Sequence, residues 1–326
     1  MLETSINQTA SRILLRSTSE GARMPSSSLT AEELATQPEN WRQAAALAPA
    51  AAPVLPQRGE RVAVIGCGTS WFMAQSYAAL RESGGHGETD ALAASEFPAG
   101  RRYDRVVAIT RSGTTTEVLE LLERLKTPAT VLTGTAGSPV FEAAEQTVLL
   151  DFADERSVVQ TRFATTALAL LRAHLELAGA LPAGTKRIAE AAEDAEAAVA
   201  WEVPGELVAA EQVTFLGRGW TYGLAQEAGL KMREAAGAWT ESYPAMEYRH
   251  GPIAIAAPGR AVWAFGELPD GLAEQVAATG AALVHEPGSD PLADLIRAQK
   301  LAVATAEARG LDPDRPRALT RSIILA

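Results

Sequence analysis

The sequence predicts an α/β protein made of two similar parallel-sheet domains in tandem, each doubly wound with helices on both faces of its sheet. Three observations predict this. Short apolar runs alternate with helical patterns along the chain. One of these runs opens into a hydroxyl-rich turn. A strand–Gly–helix unit then returns 151 residues later: Val62-Ala63-Val64-Ile65-Gly66-Cys67-Gly68-Thr69-Ser70 is echoed by Val213-Thr214-Phe215-Leu216-Gly217-Arg218-Gly219-Trp220-Thr221, and Ala74 by Ala225. Recurrence in register reads as an internal duplication.

Taken in order, residues 1–29 form an expected flexible arm, rich in Ser, Thr and Arg and lacking a signal-peptide apolar core, with Met24 an alternative start to Met1. A helix is expected over 30–48, opened by the capping pattern Leu29-Thr30-Ala31-Glu32-Glu33. Alanine and proline break it from Pro49 to Gln57. Strands follow at 61–66, 105–110, 130–133 and 147–150, with helices between them. A long helix over 164–178 closes the first half. The turn Leu181-Pro182-Ala183-Gly184 leads into an Ala/Glu-rich helix over 187–200. The domains are therefore expected at 30–182 and 183–326, the second with later strands at 261–265 and 281–284.

A chain of 326 residues suffices for two domains, and 47% hydrophobic residues supports full cores. A net charge of −11 argues against a nucleic-acid partner and against an anionic membrane. Any anion must be held locally, by dipoles and a few donors. Cys67 is the one cysteine, so no internal disulfide forms and a reducing cytoplasm is the expected location. No apolar run reaches spanning length. His86, His174, His250 and His285 lack metal-ligand spacing. Trp71 stands where a dinucleotide fingerprint needs its third glycine, and no Walker lysine follows a glycine loop. Neither a metal nor a cofactor is called for.

The run Val106-Val107-Ala108-Ile109 opens into Thr110-Arg111-Ser112-Gly113-Thr114-Thr115-Thr116, ahead of the helical pattern Glu117-Val118-Leu119-Glu120-Leu121-Leu122. A helix N-terminus offers free N–H groups and partial positive charge, and Ser112, Thr114, Thr115 and Thr116 add hydroxyls beyond what one cap requires. That combination suits a phosphate dianion. The matching place in the second half reads Gly266-Glu267-Leu268-Pro269-Asp270, whose acids repel an anion, so one phosphate cup per chain is expected. Glu227, Lys231 and Glu234 share a helical face, ordinarily a solvated charged stripe. The stretch 241–252 reads as a polar loop carrying His250, and Glu234 with His250 is a candidate acid–base pair. Cys67 reads as a small packing residue rather than a nucleophile.

Taken together, Gln37-Pro38-Glu39, Cys67-Gly68-Thr69-Ser70, Ser112-Gly113, residues 155–166, Lys231 with Glu234 and His250-Gly251-Pro252, and Asp314-Arg315-Pro316-Arg317 resemble the double sugar-isomerase (SIS) domain family, in particular the isomerase domain of glucosamine-6-phosphate synthase, over residues 30–326. The resemblance implies two SIS domains of flavodoxin-like fold. It implies Ser70, Thr110, Ser112 and Thr115 as phosphate ligands and Thr69, Val158 and Gln160 as sugar contacts. It makes Glu234 the base that moves a proton between C1 and C2, with Lys231 in the same site. His250, sixteen residues after Glu234, becomes the ring-opening group of a neighbouring subunit's site, which implies a homodimer.

Two departures matter. No amidotransferase domain precedes the sugar domains, so glutamine-dependent synthesis is not expected. Arg321 stands where many relatives carry a Schiff-base lysine; it cannot form an imine, but could steady charge near an enediolate. The implied activity is an enzyme acting on an amino- or N-acetylamino-hexose 6-phosphate by ring opening and C2 proton abstraction, leading to isomerisation with deamination. Elimination of the C3 hydroxyl, sugar-amine deglycation and non-catalytic sensing of a sugar phosphate are the alternatives.

Overall fold

The computed structural model describes residues 28–325. The expected N-terminal arm lies outside the described residues up to residue 27, while Ser28 caps the first helix and Leu29 begins it. The first half runs α1 (Leu29–Leu34), α2 (Gln37–Ala51), β1 (Val62–Gly66), α3 (Thr69–Ser83), β2 (Thr89–Ala93), β3 (Arg105–Ile109), α4 (Thr116–Arg124), β4 (Ala129–Thr133), α5 (Val140–Ala143), β5 (Gln146–Leu149) and α6 (Arg162–Leu177). The second runs α7 (Ile188–Ala200), α8 (Gly205–Val208), β6 (Gln212–Gly217), α9 (Thr221–Ala236), β7 (Trp239–Pro244), β8 (Ala261–Phe265), α10 (Leu272–Thr279), β9 (Ala282–His285) and α11 (Pro291–Ala308).

All strand pairs are parallel. The sheets are ordered β2-β1-β3-β4-β5 and β7-β6-β8-β9, so the second repeats the first without a fifth strand. Alternation along each strand sorts the side chains. Val62, Val64, Val213, Phe215, Trp263 and Phe265 face one continuous core, where α2, α3, α6, α7, α9 and α11 fill the space between the sheets. Ala63, Ile65, Val106 and Ala108 face a separate cluster under α4, and Leu216, Val262 and Ala264 a third under α10.

Glycine makes the recurring unit possible. A Cβ on Gly66 would sit 2.6 Å from the backbone of Ser70, and one on Gly217 would sit 2.3 Å from that of Thr221. In both halves the helix therefore starts hard against the end of its strand. Helices α3 and α9 cross equally closely: a Cβ on Gly223 would lie 2.4 Å from the carbonyl oxygen of Phe72.

Four expectations need correction. The helix over 30–48 is two helices, α1 and α2, and α1 is capped by Ser28, whose hydroxyl accepts from the N–H of Ala31, rather than by a box at Thr30. Glu33 instead accepts from the N–H groups of Arg156 and Ser157. Pro49 does not end α2, because this close to the C-terminus its missing N–H forfeits one bond of the last turn. Finally, β2 and β7 were not expected as strands, and β7 occupies part of the stretch read as a loop.

His86 and His174 are buried at 2% and 4% exposure, with ring centroids 5.8 Å apart. Burial, then the neighbouring His86 and Arg81, pulls His174 down to about 4 from an ordinary 6.5. The folded state thus binds this proton less readily than the unfolded chain. The stabilisation is full above pH 6.5 and is lost as pH falls toward 4. The expected loss is about 3 kcal/mol across that window. Urea denaturation at pH 7 and pH 4.5 checks it: His174→Gln should flatten the pH dependence, and an unchanged slope contradicts the assignment.

Candidate active site

In the first sheet the connection from β1 runs outward to β2, whereas the chain beyond β3 winds the other way to β4 and β5. Such a reversal leaves a crevice at the carboxyl ends of the two strands, the usual ligand position in open α/β sheets. The loops after β1 and β3 form this crevice. The cavity measures about 190 Å³. Thr69, Ser70, Thr110, Ser112, Thr115, Val158, Gln160, Glu234 and Arg321 all line it, so nine residues singled out by sequence meet at one place. Gly113, with φ +63°, lets the hydroxyl turn fold back tightly, and the Ser112 hydroxyl accepts from both the N–H and the hydroxyl of Thr114.

The acid side of the cavity comes from the other half of the chain. Helix α9 carries Glu227, Lys231 and Glu234, but not as a solvated stripe: Glu227 and Lys231 are each 1% exposed. The Lys231 ammonium donates to the Thr69 hydroxyl at 3.0 Å and, over a very short contact, to Glu234; Glu227 Oε1 lies 3.5 Å away. Burial pushes Glu227 up to about 8, against the pull of Lys231. Burial alone lowers Lys231, but Glu227 and Glu234 outweigh it and hold the ammonium above its ordinary value. Lys231 therefore stays charged and fixes the carboxylate of Glu234 at the cavity wall.

His250 lies elsewhere. It ends the short helix Glu247–His250, is exposed, and is not among the residues lining the cavity. Cys67 does line the cavity, yet burial, followed by Glu117, raises its thiol to about 11. It is a neutral thiol at physiological pH and a poor nucleophile. Arg321 lines the cavity with its guanidinium committed to Asp154 Oδ1 at 2.5 Å and to the Thr135 hydroxyl at 3.4 Å.

Sequence reasoning missed three contributors. Arg111 was visible in the hydroxyl turn but was not assigned a role. Glu227 was visible on the shared face. The tail, of which Leu319, Thr320, Ser322 and Ile323 also line the cavity, gave no signal beyond Arg321. In the second sheet the equivalent loops, 218–221 and 266–270, line a wider cleft of about 920 Å³, where Arg218 and Glu267 stand 4.0 Å apart and exposed.

Removing the buried cation strips the Glu234 carboxylate and the buried Glu227 of the partner they share. Lys231→Met should therefore destabilise the fold by about 3–5 kcal/mol. Adding Glu227→Gln should recover part of that loss. Equal denaturation midpoints for wild type and Lys231→Met contradict the ion-pair geometry.

No family model matches the chain. A glutamine–fructose-6-phosphate aminotransferase (isomerizing) of Gloeobacter violaceus is 27% identical over 316 aligned residues, covering 81% of this chain and 52% of that protein. The chain thus spans about half the length of the curated relatives it matches. The crystal structure of glucosamine-6-phosphate deaminase from Thermotoga maritima superposes with a TM-score of 0.77 at 23% identity, covering 91% of this chain and 100% of that one. The C-terminal domain of glucosamine-fructose-6-phosphate aminotransferase from Francisella tularensis superposes with a TM-score of 0.72 at 21% identity, covering 92% and 100%. The chain is a homologue of the isomerase (SIS) part of the glutamine–fructose-6-phosphate aminotransferases and has the α/β fold of phosphosugar isomerase structures.

Proposed function

We propose that this chain is an enzyme of the SIS isomerase type that acts on an amino- or N-acetylamino-hexose 6-phosphate, opening its ring and abstracting the C2 proton. One observation carries the reading: the hydroxyl turn after β3 and the Glu234 carboxylate share a single cavity. The name of the similar deaminase structure and the homology described above support the same substrate class.

The ester dianion sits against Ser70, Thr110, Ser112 and Thr115 at the start of α3 and α4, where helix dipoles and hydroxyls favour it. Thr69, Val158 and Gln160 face the sugar carbons. Two such chains form a dimer, and the partner subunit's His250 moves the ring proton, a task suited to an imidazole, which can both donate and accept. Glu234 then takes the C2 proton, and Lys231 steadies the carboxylate. With nitrogen on C2, protonation at C1 leaves an imine at C2; water adds there and ammonia departs, giving the ketose. Without nitrogen, the same proton transfer interconverts aldose and ketose.

A second reading, expulsion of the C3 hydroxyl from an N-acetylhexosamine phosphate, is favoured by one feature. Among the described residues no lysine lines the cavity, and Arg321 is engaged with Asp154, so a route needing an enzyme imine has no donor there. Incubation with glucosamine 6-phosphate, its N-acetyl form or fructose 6-phosphate, followed by NMR, separates the two: ammonia with a ketose marks the first, an olefinic proton the second.

Glu234→Gln should abolish exchange of the C2 proton with D2O while ligand binding persists; continued exchange contradicts the base assignment. Ser112→Ala combined with Thr115→Ala should raise KM by roughly 100–10,000-fold, from about 1.5–3 kcal/mol per hydrogen bond to a charged group. An unchanged KM places the phosphate elsewhere. Mixing Glu234→Gln and His250→Ala proteins should restore activity if sites are shared, and proven subunit exchange without rescue refutes the sharing.

A further inference from the structure

The C-terminal segment is a further wall of the cavity, and Arg111 joins it to the hydroxyl turn and the 155–160 loop. From the turn after β3, its guanidinium donates to the carbonyl oxygens of Ser157 at 3.1 Å, Val158 at 3.2 Å and Arg321 at 2.9 Å. The side chain is 5% exposed and has Glu155 Oε2 at 3.5 Å. Glu155 is itself tied to the start of α6, accepting from the N–H groups of Thr161 and Arg162 through its other oxygen. Arg321 reaches back in the opposite sense, to Asp154 and Thr135, and the Thr135 hydroxyl donates to the carbonyl of Arg111 at 3.2 Å. The two arginines therefore hold each other's segments.

Beyond this pair the tail lies along the hydroxyl turn. The Ser322 hydroxyl lies 2.9 Å from that of Thr114 and can donate to it, the N–H of Thr116 donates to the carbonyl of Ile323 at 3.1 Å, and the N–H of Leu325 donates to the Thr116 hydroxyl at 2.9 Å. A planar fork with five donors can serve three carbonyls on two segments at once. An ammonium is a compact point charge and cannot span them.

We infer that Arg111 is a positioning residue that clamps the C-terminal tail and the 155–160 loop onto the phosphate turn, so that the three walls form one pocket. Its effect on the ligand rests on the reading of the cavity as a sugar-phosphate site; the clamp itself does not. Arg111 holds the sugar-facing walls in place, whereas the hydroxyl turn exists without it. Its loss should weaken recognition of the sugar more than recognition of bare phosphate.

The test uses the full chain as Arg111→Lys and as Arg321→Ala, the latter removing a partly exposed side chain and sparing the core. Amide hydrogen exchange at Thr116 and Leu325, without ligand, reads the clamp. Titration with fructose 6-phosphate and with inorganic phosphate reads its consequence. Each variant should speed exchange at both amides about tenfold, as for loss of one hydrogen bond to a charged group. Each should weaken fructose 6-phosphate about tenfold and leave phosphate nearly unchanged. The double variant should be little worse than either single one, since both break one network.

Unchanged exchange in both variants overturns the clamp. Faster exchange with fructose 6-phosphate still bound as tightly as by wild type overturns the positioning role. A wild-type protein that binds neither probe, while its variants still free Thr116 and Leu325, keeps the clamp and overturns the proposed function instead.

Discussion

Lys231 carries its charge into a position with 1% exposure, and the helices around it are arranged to make that tolerable. An unpaired ammonium there would be prohibitively costly. Two acidic side chains from its own helix and a hydroxyl from α3 surround it. Because Thr69 belongs to the first half and Lys231 to the second, the same contact fixes how α3 meets α9. That crossing is close enough to require glycine at 223. The acid of the second half is thereby delivered to the mouth of the first sheet.

The two halves share a strand order and a strand–Gly–helix unit, yet they divide the chemistry. Hydroxyls cluster after β3, whereas Glu267 and Asp270 follow β8. An anion is favoured at the first crevice by two helix starts and several hydroxyls. The second half instead supplies the carboxylate and the cation that orients it. A buried ion pair is weak evidence for stability but good evidence for a fixed geometry, and fixed geometry is what the proposed proton transfer requires.

The central strands were legible because parallel strands covered on both faces read as continuous apolar runs, as Val62–Gly66 and Arg105–Ile109 do. The edge strands were not. Trp239–Pro244 mixes Thr, Glu and Ser and ends in proline, so it looks like a loop, and only its pairing with Gln212–Gly217 makes it a strand. The turn residues that line the cavity were legible for the same reason that the turns were. What could not be read is what depends on contacts across the chain. Asp314 caps α1 by accepting from the N–H groups of Leu29 and Thr30, 285 and 284 residues away. Gln37 bonds Gln299 on α11. Arg111 binds Arg321. Burial of Glu227 and Lys231 likewise follows from the helix crossing, so a stripe that spacing alone assigns to solvent became the centre of the site.

The most direct measurement is a crystal structure of this chain soaked with fructose 6-phosphate. The phosphate oxygens are expected within hydrogen-bonding reach of the Ser112 and Thr115 hydroxyls, and the second carbon against the Glu234 carboxylate. A phosphate bound away from the turn after β3, or a carbon chain that points away from α9, would contradict this arrangement.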